Sequence, residues 1–374
     1  MRVLVTFAGG RGHLLPMLPL SRALRDAGHE LALSGHPHAV GSHGVFGDLF
    51  PHERIGPGPD PDGGTGTLTA PDLQHELEVV GRWYAGTLAQ RNLLRTREVV
   101  ERWRPDLVVC DEMDLGSVAA AARAGLPCVV VDVIASGALV RSPYVDDGLA
   151  ALDLQQVKGD LEIYPAPPSF RDPGFPLSPG AVAVRPEPVG GGDEVHPGVA
   201  WLRSHDGPSV YLTLGTIFNT ESGDLFSRAL GALADQPVRV LATVGSDVDP
   251  ALVGVRADNV RIERFVPQDQ VLPLVDVVVN HGGSGSVIGA LAHGLPVVTL
   301  AMGADQELNA ARLVALDAGV GLDVVTAGAD DVRRAVTRAL TDVDLRAGAT
   351  RVRDEVAALP PVSSVVPTIE SLVG

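Results

Sequence analysis

Residues 275–306, VDVVVNHGGSGSVIGALAHGLPVVTLAMGADQ, set the fold class. The first six, an apolar run bounded by Asp276 and Asn280, are what is expected of a strand buried on both faces of a parallel sheet. A glycine turn follows, in which Gly282, Gly283 and Gly285 let the backbone bend sharply and approach a ligand without Cβ contacts. Ser284 and Ser286 stand where the next helix should begin. The open amides and the positive end of that helix predict an anion site, with His281 and the two hydroxyls as further donors. A plain strand, turn and helix needs one glycine and one cap; this turn carries three glycines, a leading histidine and two hydroxyls.

Outward from this stretch, a chain of 374 residues is long for one core and predicts two domains. An apolar content of 45% with 4% aromatics describes a soluble protein whose core is built from Val, Leu and Ala. Every apolar run is broken by Gly, Pro or charge before it could cross a bilayer, and the N-terminus opens directly into RVLVTFA. The expectation is a cytoplasmic protein with neither membrane span nor signal peptide. Cys110 and Cys128 both sit in apolar runs and suit buried free thiols, not a disulfide framework or a zinc site. A net charge of −17 repels nucleic acid and anionic lipid, so neither is expected as a partner. A nucleotide would have to be held by local dipoles and a few donors.

The chain begins with a strand at residues 2–7, the turn AGGRGH, a helix predicted over about 14–27 with Gly28 as its stop, and a second strand in HELALSG. This order raises a dinucleotide site, but Leu15 stands where the third glycine of GxGxxG belongs after Gly10 and Gly12, and no acid ends the second strand near Ser34. His13 falls at the C-terminal edge of the sheet and the mouth of the helix, where open α/β sheets bind ligands. Residues 36–75, with GPGPDPDGGTGT at their centre, read as a functional loop or as disorder. A long helix predicted over about 73–103 carries Trp83 and Tyr84, which suit an acceptor wall or packing on a helix face. Tyr144, Tyr164, Phe170 and Phe175 suit a flat apolar ligand or a second hydrophobic cluster equally well. Pro, Gly and Val dominate residues 176–197, so 186–204 is read as a linker between a first domain at 1–185 and a second at 205–360. The second domain repeats the alternation through SVYLTLGT, RVLATVG and NVRIERF, again implying a parallel sheet wound right-handed.

HGGSGS, then GLP and ADQ, preceded by FVPQ at 265–268, resemble the nucleotide-sugar signature of inverting glycosyltransferases of the GT-B fold. The group most resembled is that of the actinobacterial natural-product enzymes, which attach deoxysugars to polyketide, macrolide or enediyne aglycones. The similarity covers nearly the whole chain. It implies an α/β fold of two Rossmann-like domains facing across a cleft, with residues beyond 361 crossing back to the first domain. It also implies metal-independent transfer, with inversion, from a TDP-sugar donor to a hydroxyl of an apolar aglycone. His13 would be the base that removes the acceptor proton, and Asp111, in DLVVCDEMD, would orient and charge-balance it; Glu112 and Asp114 are neighbours able to serve instead. The chemistry suits the pair, since an imidazole titrates near neutrality and a carboxylate stabilises the imidazolium formed. On the donor side the resemblance puts Thr216 on the diphosphate and the Val266 backbone with Gln268 at the base. It puts His281, Gly283, Ser284, Gly285 and Ser286 at the phosphates, Asp305 and Gln306 on the sugar hydroxyls, and Gly12 within the donor site.

Relatives that use UDP-sugars commonly carry a Glu eight residues beyond the leading His, where it accepts both ribose hydroxyls. Gly289 stands there, which favours a thymidine nucleotide. Ser286 replaces a common Thr and keeps the hydroxyl, while Ala301 replaces a Pro that often precedes the sugar turn and can shift that loop. DxD triplets occur at Asp60 and Asp62, Asp247 and Asp249, and Asp342 and Asp344, but in an Asp-rich chain they are close to chance. No metal and no cofactor are therefore expected, the helix dipole and His281 neutralising the leaving diphosphate. A UDP-sugar-dependent transferase, a nucleotide-sugar epimerase of the same fold and a non-catalytic accessory subunit stay open, as does a homodimer. His13, Asp305 and Gln306 argue against the accessory subunit.

Overall fold

The computed structural model describes residues 1–35, 68, 70–141, 143–155, 158–190, 194–215, 223–245 and 248–374. These form two compact units. One holds residues 1–35, 74–189 and Leu359–Gly374; the other holds Leu68, residues 70–73 and Gly190–Ala358. Each contains a six-stranded sheet whose described pairings are all parallel.

In the first unit the strands are β1 (Arg2–Thr6), β2 (Glu30–Ser34), β3 (Leu107–Asp111), β4 (Cys128–Val131), β5 (Leu161–Tyr164) and β6 (Val182–Ala183), in the order β2-β1-β3-β4-β5-β6. Both faces of β1 are buried. Val3 and Val5 join a core with Leu18, Leu20 and Leu24 of the helix Leu18–Asp26, whereas Leu4 packs with Ala32 and Val99 on the other side. Such two-sided burial is what turns these strands into continuous apolar runs. The order reverses between β1 and β3, which creates a crevice at their carboxyl ends. The AGGRGH turn leaves β1 at that point, and Asp111 ends β3 there.

The second unit contains β7 (Ser209–Thr213), β8 (Arg239–Thr243), β9 (Val260–Glu263), β10 (Val277–Asn280), β11 (Val297–Ala301) and β12 (Gly319–Asp323), in the order β12-β11-β10-β7-β8-β9. Here the reversal lies between β7 and β10. Gly215 follows the first of these strands and the HGGSGS turn follows the second, so the same topological rule positions both candidate sites.

Several elements differ from their sequence-based outlines. The first helix is broken into Arg11–Leu14, a 3₁₀ turn Leu15–Met17 and Leu18–Asp26, with a proline in the opening turn of each of the last two. The long helix starts as Leu73–Val79, widens into a π-helical stretch Val80–Leu88 and resumes as Ala89–Trp103, ending at a left-handed Arg104. Within residues 186–204 stands a helix, Pro197–Arg203, whose first turn is capped by His196 Nδ1 accepting from the Gly198 amide at 3.0 Å. The C-terminal turns Val362–Val365 and Val366–Ser371 bury Val362, Val365, Val366 and Ile369 in the core of the first unit. Cys110 and Cys128 are buried free thiols 3.6 Å apart on neighbouring strands. Among the described residues, no helix is long and apolar enough to cross a membrane.

Candidate functional site

In the first unit, His13 Nδ1 lies 3.1 Å from Asp111 Oδ1. Asp111 is fully buried, and its position is fixed by backbone donors: the Ala8 amide reaches Oδ2 at 2.6 Å and the Met113 amide reaches Oδ1 at 2.8 Å. With Nδ1 donating to Asp111, Nε2 would be the basic nitrogen. The two neighbouring acids have other work. Glu112 Oε1 accepts from the amides of Val133 and Ile134 at 2.7 and 2.6 Å, and burial pushes its pKa up to about 7. Asp114 caps the helix Leu115–Ala124 through the Ser117 amide and accepts from Asn92 Nδ2 at 2.9 Å. Of the three acids, Asp111 is the one that meets His13.

Two residues stand beside His13 that sequence reading did not place there. A Cβ on Gly9 would stand 2.3 Å from His13 Cδ2, so Gly9 is required by the imidazole itself. Tyr84 stacks on the ring, with centroids 5.6 Å apart and planes 21° apart. Among the described residues, nothing lies within 4 Å of where a Cβ on Gly12 would be.

In the second unit the helix Ser284–Ala292 begins without a side-chain cap, and its first i→i−4 bond runs from the Val287 amide to the Gly283 carbonyl at 3.0 Å. The amides of Ser284, Gly285 and Ser286 precede that bond at the positive end of the helix. Asn280 Oδ1 accepts from the Gly282 amide at 2.8 Å and starts the turn; Gly282 has a φ of 89°. Gly283 and Gly215 both make room for His281: added Cβ atoms would stand 2.4 Å from its Nε2 and 2.6 Å from its Cε1. Enclosed in this way, the imidazole has its pKa lowered to about 4 by burial. It is uncharged at neutral pH, so an anion at this turn would meet a hydrogen-bonding ring without charge, the positive potential coming from the helix end. Thr216 lies outside the described residues, as do Asp60, Asp62 and Asp247. Asp342 caps the helix Val343–Ala358 through the Asp344 amide at 2.9 Å.

Asp305 and Gln306 open the helix Gln306–Ala315 and are nearly buried. Asp305 Oδ2 accepts from the Ser284 hydroxyl at 2.5 Å and from Asn309 Nδ2 at 2.7 Å; Gln306 Oε1 accepts from the Met302 amide at 2.7 Å. Asn309 Nδ2 also reaches the Gly282 carbonyl at 2.9 Å and Ser284 Oγ at 3.1 Å. One buried amide thus ties the glycine turn to the acid of the ADQ segment. Sequence reading passed over Asn309, although it lies one helical turn beyond Asp305 on the same face. Val266 is buried in the turn after β9, and Gln268 starts the short helix Gln268–Val271. A Cβ on Gly289 would meet Leu272 Cδ1 at 3.5 Å and Gln268 Oε1 at 4.0 Å, so the FVPQ turn adjoins the helix that starts at Ser284.

Residues 227–372 match the family model described as Erythromycin biosynthesis protein CIII-like, C-terminal domain. The chain is 32% identical over 380 residues to the L-demethylnoviosyl transferase of Streptomyces niveus, spanning 96% of this chain and 95% of that protein. It is 29% identical to the 3-alpha-mycarosylerythronolide B desosaminyl transferase of Saccharopolyspora erythraea, over 100% of this chain and 98% of that one. Among solved structures, the Streptomyces sp. SF2575 glycosyltransferase SsfS6, complexed with thymidine diphosphate, aligns with a TM-score of 0.76 at 27% identity over 99% of both chains. The chain belongs to the GT-B glycosyltransferases of the actinobacterial natural-product type.

Proposed function

We propose that the protein moves a deoxysugar from a TDP-sugar to a hydroxyl of an apolar natural-product aglycone, with inversion and without a metal ion. The observation that carries this reading is the His13–Asp111 pair, at 3.1 Å. An alcohol is a poor nucleophile until its proton has somewhere to go. Nε2 takes that proton as the oxygen attacks the anomeric carbon, and the buried Asp111 carboxylate stabilises the imidazolium. A single displacement of this kind inverts the anomeric configuration. The C–O bond to the diphosphate breaks as the new one forms, and the diphosphate leaves toward the amides of residues 284–286, with His281 as a neutral donor. These fixed dipoles supply the stabilisation that a metal would otherwise give. Asp305 and Gln306 hold the sugar hydroxyls in this scheme. The thymidine choice rests on Gly289 and on the thymidine diphosphate in the SsfS6 complex.

Calorimetric titration with TDP and UDP, each with and without magnesium, tests the donor half. Magnesium-independent binding that favours TDP is the expected result; tighter UDP binding overturns the nucleotide assignment, and a magnesium requirement overturns the metal-free one. For the acceptor half, His13→Ala should lower turnover at least about a hundredfold while TDP affinity stays unchanged. Undiminished turnover removes His13 as the base.

A further inference from the structure

A sugar donor would be gripped at two places in the second unit, the diphosphate at the turn after β10 and the sugar at the ADQ segment after β11, and the bond that breaks lies between them. One side chain bonds to both places. Asn309 is fully buried on the helix Gln306–Ala315. Its Nδ2 lies 2.7 Å from Asp305 Oδ2, 2.9 Å from the Gly282 carbonyl oxygen and 3.1 Å from Ser284 Oγ. A carbonyl and a carboxylate can only accept, so the nitrogen end of the amide faces them, and its two hydrogens suit the two shorter contacts. Ser284 gives its own hydroxyl hydrogen to Asp305 Oδ2, which closes the set.

The backbone on either side explains why a fixed spacing needs holding. Gly282 has a φ of 89°; its amide donates to Asn280 Oδ1 at 2.8 Å and its carbonyl accepts from Asn309. A Cβ on Gly282 would stand 3.0 Å from the Gln306 carbonyl oxygen, so the turn rests directly on the start of the helix that carries Asn309. Ala304, immediately before Asp305, has a φ of 54°, a left-handed conformation that alanine rarely adopts. Strain of this kind persists only where surrounding contacts hold it. The Asn309 bond to Asp305 is one such contact, and Gln306 Oε1, accepting from the Met302 amide at 2.7 Å, is another.

We propose that Asn309 is a positioning residue for transfer: by bonding to the glycine turn and to Asp305 at once, its amide sets the distance and angle between the sugar and the departing diphosphate. A fully buried amide does not touch the donor, so it acts through the groups it holds. The proposal rests on the reading of the turn as the diphosphate site and of Asp305 as a sugar contact. A ligand that fills one place is indifferent to the spacing, whereas one that fills both depends on it.

The test is a double-mutant cycle in the full chain, with Kd measured by calorimetry for TDP, which fills one place, and for TDP-glucose, which fills both. Asn309→Ala should weaken TDP-glucose about tenfold or more while changing TDP less than about threefold. Asp305→Ala should show the same contrast, and the double variant should bind TDP-glucose little worse than the weaker single one, because both changes break one coupled unit. Losses that multiply overturn the proposal. So does an Asn309→Ala protein whose Tm falls while its preference between TDP-glucose and TDP stays as in the parent, since the amide then supports the fold alone. Should Asn309→Ala not fold, Asn309→Ser keeps one donor and is expected to lose part of the TDP-glucose affinity; parental affinity there also overturns the proposal. Asp305→Ala separates the two ideas: undiminished TDP-glucose binding in that variant removes the sugar contact itself, whereas loss there with parental binding in Asn309→Ala removes the role of Asn309 alone.

Discussion

Burial decides what His281 can contribute. The motif that His281 opens assigns it to the phosphates by resemblance, but its charge depends on how tightly Gly215 and Gly283 enclose the ring, and no local pattern encodes that. With a folded pKa of about 4 against about 6.5 for an unperturbed histidine, the group disfavours the folded state in acid. The sign follows directly: as pH falls below about 6.5 the unfolded chain binds a proton that the folded chain refuses until about pH 4. Stability from this site is therefore intact above 6.5 and is lost progressively between the two values, by up to roughly 3 kcal/mol. In histidine-labelled spectra one imidazole, absent from His281→Ala, should stay in its neutral form down to about pH 5. A titration midpoint near 6.5 for that signal would show that the ring is solvated and able to carry charge onto the diphosphate. His281→Ala should also weaken TDP binding, and equal affinity in both proteins would sink the phosphate contact.

The turn from Asn280 to Ser286 separates glycines required by the fold from glycines available to a ligand. Gly283 has no room for a side chain, since its Cβ would meet the His281 ring, whereas among the described residues a Cβ on Gly285 would meet nothing within 4 Å. Gly285 also lies in the first turn of a helix, where alanine reduces the entropy of the unfolded chain and adds helix propensity. Gly283→Ala should accordingly destabilise the protein by about 1–3 kcal/mol through overpacking. Gly285→Ala should hold or raise Tm by an amount worth up to about 1 kcal/mol, yet weaken TDP binding by crowding the backbone that the diphosphate approaches. Thermal melts and titrations of the two variants decide it, and full TDP affinity in Gly285→Ala would mean that the diphosphate does not reach this backbone. The contrast also marks how far the sequence could be read. Apolar runs and glycine turns were enough to place β1, β3, β7 and β10 and the two crevices at their carboxyl ends, because both signals are local. His13 and Asp111 were legible as a pair through their motifs. The bond from Asn309 to the Gly282 carbonyl and the stacking of Tyr84 on His13 were not, because each is a contact between segments far apart in the chain.

The end of the chain shows a packing relation that runs against sequence order. Residues up to Ala358 belong to the second unit, yet the next sixteen, Leu359–Gly374, belong to the first. There Val362, Val365, Val366 and Ile369 pack with the core that contains Val3, Val5 and Leu20, and the Val362 amide donates to Glu187 Oε1 at 3.1 Å. A strand-like link between the Arg185 amide and the Pro360 carbonyl, at 2.8 Å, holds the returning segment in place. Each of these buried aliphatic side chains is worth roughly 1.5–3 kcal/mol, so the four together match a large part of the 5–15 kcal/mol typical of a whole domain. Removing residues 359–374 should therefore unfold the first unit even though the deletion follows the last helix of the second. Hydrogen exchange reads this directly: β1 and β3 amides should lose protection in the truncated chain, while β7 and β10 amides keep theirs. If the truncated chain is insoluble, Ile369→Ala provides a milder version, expected to cost about 2–5 kcal/mol with the loss of protection again largest in β1. Protection retained in β1 after either change would mean that the C-terminal turns cover the first unit without supporting it. The core contacts of Ile369, which is fully buried, argue the opposite.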